Sequence, residues 1–228
     1  MSMRPPHKVS VTCAENEAEF LSIAGGAAAT GHDLVVKSHY ADAGMLGYVA
    51  ANGAKCVLTV RDPRDCIVST MERFNESFDQ TFVNVKASCD AMMRFMELDA
   101  LLFRYEDGFA QSPQVLARLK NHLVPEVEVD LAEIAQMHSK ESIKQFIGSF
   151  DQMEPGRLGK IGGDMFDSVT HWHSNHFGDG MSNKWRTRLT AEQQEFANRM
   201  LATPLARFGY SAYAYAMPWG EELDTEAV

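Results

Sequence analysis

Cysteine is sparse in this 228-residue chain: four residues, Cys13, Cys56, Cys66 and Cys89, none in a Cys-x-x-Cys pair. With Cys56 and Cys66 set in apolar runs, the pattern reads as reduced, buried thiols rather than a disulfide framework. Basic charge is also short. The 21 Lys and Arg against 31 Asp and Glu leave a net charge of −10. That excludes broad nucleic-acid, heparin or anionic-membrane binding, since each needs a wide basic surface. Any polyanion held here must be small and met by a local pocket. No apolar run reaches the roughly 18 residues of a membrane-crossing helix. No leader pattern opens the chain, which predicts a cytoplasmic protein. What is present is 45% hydrophobic residues, enough to bury a full core in one domain spanning residues 1–228.

The stretch that organises the chain is residues 55–69. Its apolar run over 57–60 predicts a buried strand, 61–64 a turn at its carboxyl end, and 65 onward a helix with Ser69 in the second turn. Pro63 cannot donate to a ladder but suits a first helical turn, so it marks the switch. A strand-to-helix corner of this kind collects anions, because strand ends and helix amino termini converge there. Arg61 on the corner and Ser69 about two turns into the helix can hold one phosphate.

Around it, the pattern predicts strands over 8–12 and 33–39 and helices over 15–28 and 43–51, the alternation of a parallel sheet covered on both faces. Further helices are expected over 82–98, 113–123 and 131–150, the last interrupted at 139–142, with a strand over 100–105. Residues 75–80 read as a polar break, and Met92, Met93 and Met96 as core filling. Residues 151–183, rich in Gly, Asp, Met and Ser, read as a long loop over the site. Residues 190–208 read as one terminal helix, opened by a Thr190/Gln193 capping box and stopped by Gly209.

Four segments stand in order: Lys37-Ser38-His39, Arg61-Asp62-Pro63-Arg64-Asp65 with Ser69, Arg104-Tyr105-Glu106-Asp107, and Trp185-Arg186-Thr187-Arg188-Leu189-Thr190. As an ordered set they resemble the sulfotransferase family, which uses 3′-phosphoadenosine 5′-phosphosulfate (PAPS), over about residues 33–210. The resemblance implies an α/β fold, a three-layer P-loop-transferase-like parallel sheet flanked by helices. It assigns Arg61 and Ser69 to the 3′-phosphate, Tyr105 to the adenine, and His39 as general base, with Lys37 beside it on the same strand face. Imidazole has a pKa suited to taking a hydroxyl proton near neutrality, and Lys37 can stabilise charge on the leaving oxygen. The partner implied is a small-molecule hydroxyl acceptor, and the product adenosine 3′,5′-bisphosphate. Arg104, Glu106 and Asp107 read as scaffold ion pairing.

Two departures stand beside the resemblance. Family members open with a strand and a Pro-Lys/Arg-Ser-Gly-Thr/Ser-Thr-Trp loop that cradles the 5′-phosphosulfate, and residues 1–32 carry no match to it. The sheet is therefore expected to lack its first strand, loop and helix. That would leave an open edge for another chain, as in a homo-oligomer. Before Trp185, where many members carry Arg-Lys-Gly, this chain has Phe177-Gly178-Asp179-Gly180, leaving Lys184, Arg186 or His176 as stand-ins. Two alternatives stay open. One is a truncated or inactive nucleotide-binding domain of the same fold. The other is a metal-dependent hydrolase built on His171, His173 and His176, whose spacing is similar to an HxHxDH metal segment but carries Asn175 where the acid belongs.

Overall fold

The backbone switches from strand to helix three times before residue 75, and each switch is written in short-range chemistry. The structure is a computed structural model that describes residues 9–14, 16–30, 33–38, 42–108, 112–154, 156–161, 164–174 and 180–211. Strand β1 (Val9–Cys13) leads to helix α1 (Glu17–Thr30), β2 (Asp33–Lys37) to α2 (Ala43–Asn52), and β3 (Cys56–Val60) to α3 (Pro63–Phe74). Asp42 caps α2 by accepting from the Met45 amide, and Asp62 caps α3 by accepting from the Arg64 amide, with Pro63 in the first turn. Carboxylates at these positions satisfy amides that the helix itself leaves open.

Helix α4 (Phe78–Phe95), strand β4 (Ala100–Arg104) and helices α5 (Pro113–Leu123), α6 (Leu131–Met137) and α7 (Lys140–Gly148) follow. The polar break before α4 is shorter than the sequence predicts. Ser77 caps the helix through the Gln80 amide, so α4 starts at Phe78. The predicted loop over 151–183 is corrected as well. It contains the antiparallel hairpin of β5 (Leu158–Ile161) and β6 (Asp164–Asp167), extended by a bridge from Phe166 to His173. The single terminal helix becomes three pieces: α8 (Trp185–Arg188), α9 (Ala191–Met200) and α10 (Ala202–Arg207). The Thr190/Gln193 capping box is present. Pro204 has no N–H to bond back to Met200, and the chain breaks at Leu201.

The fold is α/β. Strands β1 and β2 pair in parallel, as do β3 and β4, and among the described residues no ladder joins the two pairs. Each pair has its own core. Ala14, Phe20 and Met45 gather under β1 and β2. Val60, Cys89 and Phe208 gather beside β3, with Met92, Met93 and Met96 packed against them. A third cluster, Ile67, Val68, Phe82, Trp185, Leu189, Ala197, Leu201 and Leu205, clamps α3 and α4 to the C-terminal helices. It brings a segment more than a hundred residues downstream onto the β3–α3 corner.

Candidate functional site

Arg61 leaves the end of β3 with its guanidinium lying 4.8 Å from the Tyr105 ring centroid. One of its terminal nitrogens donates to the Met181 carbonyl at 2.7 Å. Its Nε is buried and has no hydrogen-bond partner among the described residues, nor does Arg61 form an ion pair there. A buried N–H in this condition costs on the order of 1–3 kcal/mol, and an anion on the corner would meet it. Tyr105 begins a single turn of 3-10 helix after β4 and is 38% exposed. It is therefore a surface ring beside the corner.

The start of α3 is occupied by its own acids. Asp62 takes the Arg64 amide, and two contacts at 2.9 and 2.6 Å hold the buried Arg64 side chain. Arg64 also donates to Asn198 and to the Ser211 carbonyl, and stacks 3.8 Å from the Trp185 ring. The anion-attracting group of this corner is thus the Arg61 guanidinium. At the helix amino terminus, expected to share that role, Asp62 takes the Arg64 amide and Pro63 has none to offer.

Asp65 anchors the downstream loop. Its carboxylate accepts from the Asn183 amide at 2.6 Å and the Trp185 amide at 3.0 Å. Burial raises its pKa above the ordinary carboxylate range, with these two amide bonds opposing. Asp65, Ser69 and Glu72 follow one helix face at spacings of four and three. Glu72 meets the same loop through an ion pair to Lys184 and a 3.3 Å contact from Arg188. Ser69, partly buried, therefore lies on the stripe between two residues that touch residues 183–188.

Gly180 completes the enclosure. With φ at +71°, it brings its backbone so close that an added Cβ would lie 3.3 Å from the Tyr105 hydroxyl and 3.7 Å from Lys140 Nζ. Lys140 opens α7 and adds a second cation to the cluster of Arg61, Tyr105 and the loop. The sequence reading did not single it out. Its only signal was a lysine behind the Ser139 cap, which does not reveal that α7 folds back to this corner. Of the stand-ins named above, Lys184 is drawn to Glu72, while Arg186 stacks on Trp185 at 4.6 Å and bonds Asn183. His176 and Asp179 lie outside the described residues.

Lys37 ends β2 with an exposed side chain, and His39 lies outside the described residues. The Arg104 segment forms a frame: Arg104 pairs with Asp107 and bonds the Gly209 carbonyl, and Glu106 accepts from the Asp62 amide and the Tyr210 hydroxyl. In the histidine segment, His171 and His173 both stack on Phe166, and His173 Nδ1 contacts Asp164 at 2.8 Å. No three metal-ligating side chains converge among the described residues. At the first strand-to-helix turn the Glu17 amide is taken by Asp42 and the Glu19 amide by Asn16, with Glu17 and Glu19 adding negative charge. Among the described residues of that turn, these two amides are therefore not open to a phosphosulfate.

Residues 24–209 match the family described as sulfotransferase domain. No curated protein sequence matches the chain. Among solved structures, the chain is similar in fold to mouse sulfotransferase SULT7A1 complexed with PAP. The TM-score is 0.62 and the identity 15%, over 88% of this chain and 76% of that one. No described helix is long and apolar enough to cross a membrane.

Proposed function

The chain belongs to the sulfotransferase domain family, and on that premise we propose that it transfers a sulfuryl group from PAPS to a hydroxyl of a small-molecule acceptor. The observation that carries this reading is the corner itself. Arg61, with an unmet buried Nε, stands over Tyr105 and faces a loop pinned by Asp65. A guanidinium fork, a serine hydroxyl at Ser69 and an aromatic at Tyr105 are the donor set that a 3′-phosphoadenosine group requires. Lys140 adds charge at its edge.

PAPS, when bound, supplies the sulfuryl group and leaves as adenosine 3′,5′-bisphosphate. His39 takes the proton of the acceptor hydroxyl as the acceptor oxygen bonds to sulfur and the bond from sulfur to the phosphate oxygen breaks. Lys37, two residues before it in sequence, holds an ammonium against the negative charge that grows on the departing oxygen. Arg61, Ser69 and Tyr105 orient the nucleotide and take no part in the proton's path.

A second reading, a nucleotide-binding domain without turnover, is favoured by the acidic turn between β1 and α1, whose described residues offer no cradle for the 5′ side. Incubation with radiolabelled PAPS and a panel of alcohols and phenols separates the two. Labelled sulfate on an acceptor, lost in His39→Ala, supports the transferase. Bisphosphate binding with no transfer supports the second reading.

A further inference from the structure

Residues 177–183 carry one acid and no base, yet two cations from distant elements meet this loop at consecutive residues. Arg61, at the end of β3, donates to the Met181 carbonyl at 2.7 Å. At Gly180 an added Cβ would lie 3.7 Å from Lys140 Nζ and 3.3 Å from the Tyr105 hydroxyl. Consecutive Cα atoms are about 3.8 Å apart, so the guanidinium and the ammonium are drawn to one short stretch of backbone. Tyr105 stands at both points, with its ring under Arg61 and its hydroxyl toward Gly180. The bases that follow in sequence are engaged elsewhere: Lys184 and Arg188 with Glu72, Arg186 with the Trp185 ring and Asn183. Lys140 is placed by its helix rather than by the loop. It is the first residue of α7, directly after Ser139, whose hydroxyl accepts from the Ser142 amide. Trp172 of the hairpin packs on His138 and Phe146, ring centroids 5.7 and 5.1 Å away. The backbone that carries Lys140 is thus held on both sides, while its side chain is exposed on a flexible stem.

We propose that Lys140 is the second cation of the 3′-phosphate site, its ammonium and the Arg61 guanidinium holding the same phosphate from two directions. This rests on the reading that the corner takes a 3′-phosphoadenosine group. A phosphate monoester carries a charge of about −1.5 to −2 at neutral pH, more than Arg61 alone offsets. At the start of α3, Pro63 has no amide and that of Arg64 is taken by Asp62, so further neutralisation falls to side chains. The two cations are complementary. A guanidinium is a planar fork that fixes the phosphate's orientation, and an ammonium is a point charge that adapts to whichever oxygen remains.

Titration calorimetry of the whole chain with adenosine 3′,5′-bisphosphate and with adenosine 5′-monophosphate, which differ only in the 3′-phosphate, tests it. Lys140→Met keeps the stem and removes the charge. It is expected to weaken bisphosphate binding about tenfold and monophosphate binding by less than about twofold. Lys140→Arg, which keeps the charge, is expected to stay within about threefold of the unaltered chain for both nucleotides. Lys144→Met makes the same change in charge about 6 Å further along α7 and is expected to leave both affinities unchanged. Thermal unfolding checks that each variant is folded. A bisphosphate preference that survives Lys140→Met, an equal loss for both nucleotides, or an equal loss in Lys144→Met would each overturn the proposal while leaving the proposed function standing. An unaltered chain with no preference for the bisphosphate would overturn the reading of the corner and this role of Lys140 together.

Discussion

Asp65 carries more of the site than its place in a run of charged residues suggests. Two backbone amides of the 183–185 segment end on its carboxylate, 118 and 120 residues away in sequence. Asp65→Asn keeps the shape but replaces one acceptor oxygen with a donor, which opposes an amide N–H. The loop that carries Met181, the partner of Arg61, is then expected to loosen. This variant is expected to bind adenosine 3′,5′-bisphosphate about tenfold more weakly, near 1.4 kcal/mol, with faster amide exchange at Asn183 and Trp185. Calorimetry and exchange check the two together. Unchanged affinity with a loosened loop would separate the loop from the site. Arg61, Ser69 and Tyr105 were singled out as candidates from the sequence because each sits in a short motif segment. Asp65 and Lys140 were not, because their partners are set by the packing of α3, α7 and the downstream loop.

At the scale of elements, legibility followed the caps. Helix α5, with Ser112 before Pro113, begins and ends where the pattern predicts, and the Thr190/Gln193 box opens α9. Thr190→Ala removes one bond of that box, and a loss of about 1 kcal/mol in denaturant unfolding is expected. The hairpin of β5 and β6 stayed hidden because four-residue strands, one with a glycine, give too little alternation to read. Its anchor is chemical. Asp167 is buried and, against the cost of burial, the Arg157 guanidinium and two Thr170 donors hold its pKa down to about 2. A depressed carboxylate contributes stability above its unfolded pKa of about 4 and loses it as pH falls toward 2. Asp167→Asn is expected to cost roughly 1–2 kcal/mol at neutral pH, a figure kept low because Arg157 is partly exposed. The difference from the unaltered chain should shrink through the acid range and vanish only below about pH 2, under both pKa values. Unfolding curves across that range check it, and a difference that persists at the acid end would contradict it.

Over the whole molecule, the alternation of strand and helix gave the class of fold before any coordinate. Among the described residues the sheet falls into two parallel pairs, β1 with β2 and β3 with β4, in line with the first strand that the sequence is expected to lack. The C-terminal cluster has the larger consequence for function. By burying Trp185, Leu189, Leu201 and Leu205 against α3, it closes the corner with residues that are sequence-distant from Arg61. On the proposed function, this corner receives the 3′-phosphate of an adenosine nucleotide. Titration calorimetry comparing adenosine 3′,5′-bisphosphate with adenosine 5′-monophosphate, in the unaltered chain and in Arg61→Lys, tests it most directly. The bisphosphate is expected to bind at least about tenfold tighter, with the difference lost in Arg61→Lys because an ammonium cannot reproduce the guanidinium fork. Equal binding of the two nucleotides, or a preference that survives the substitution, would contradict it.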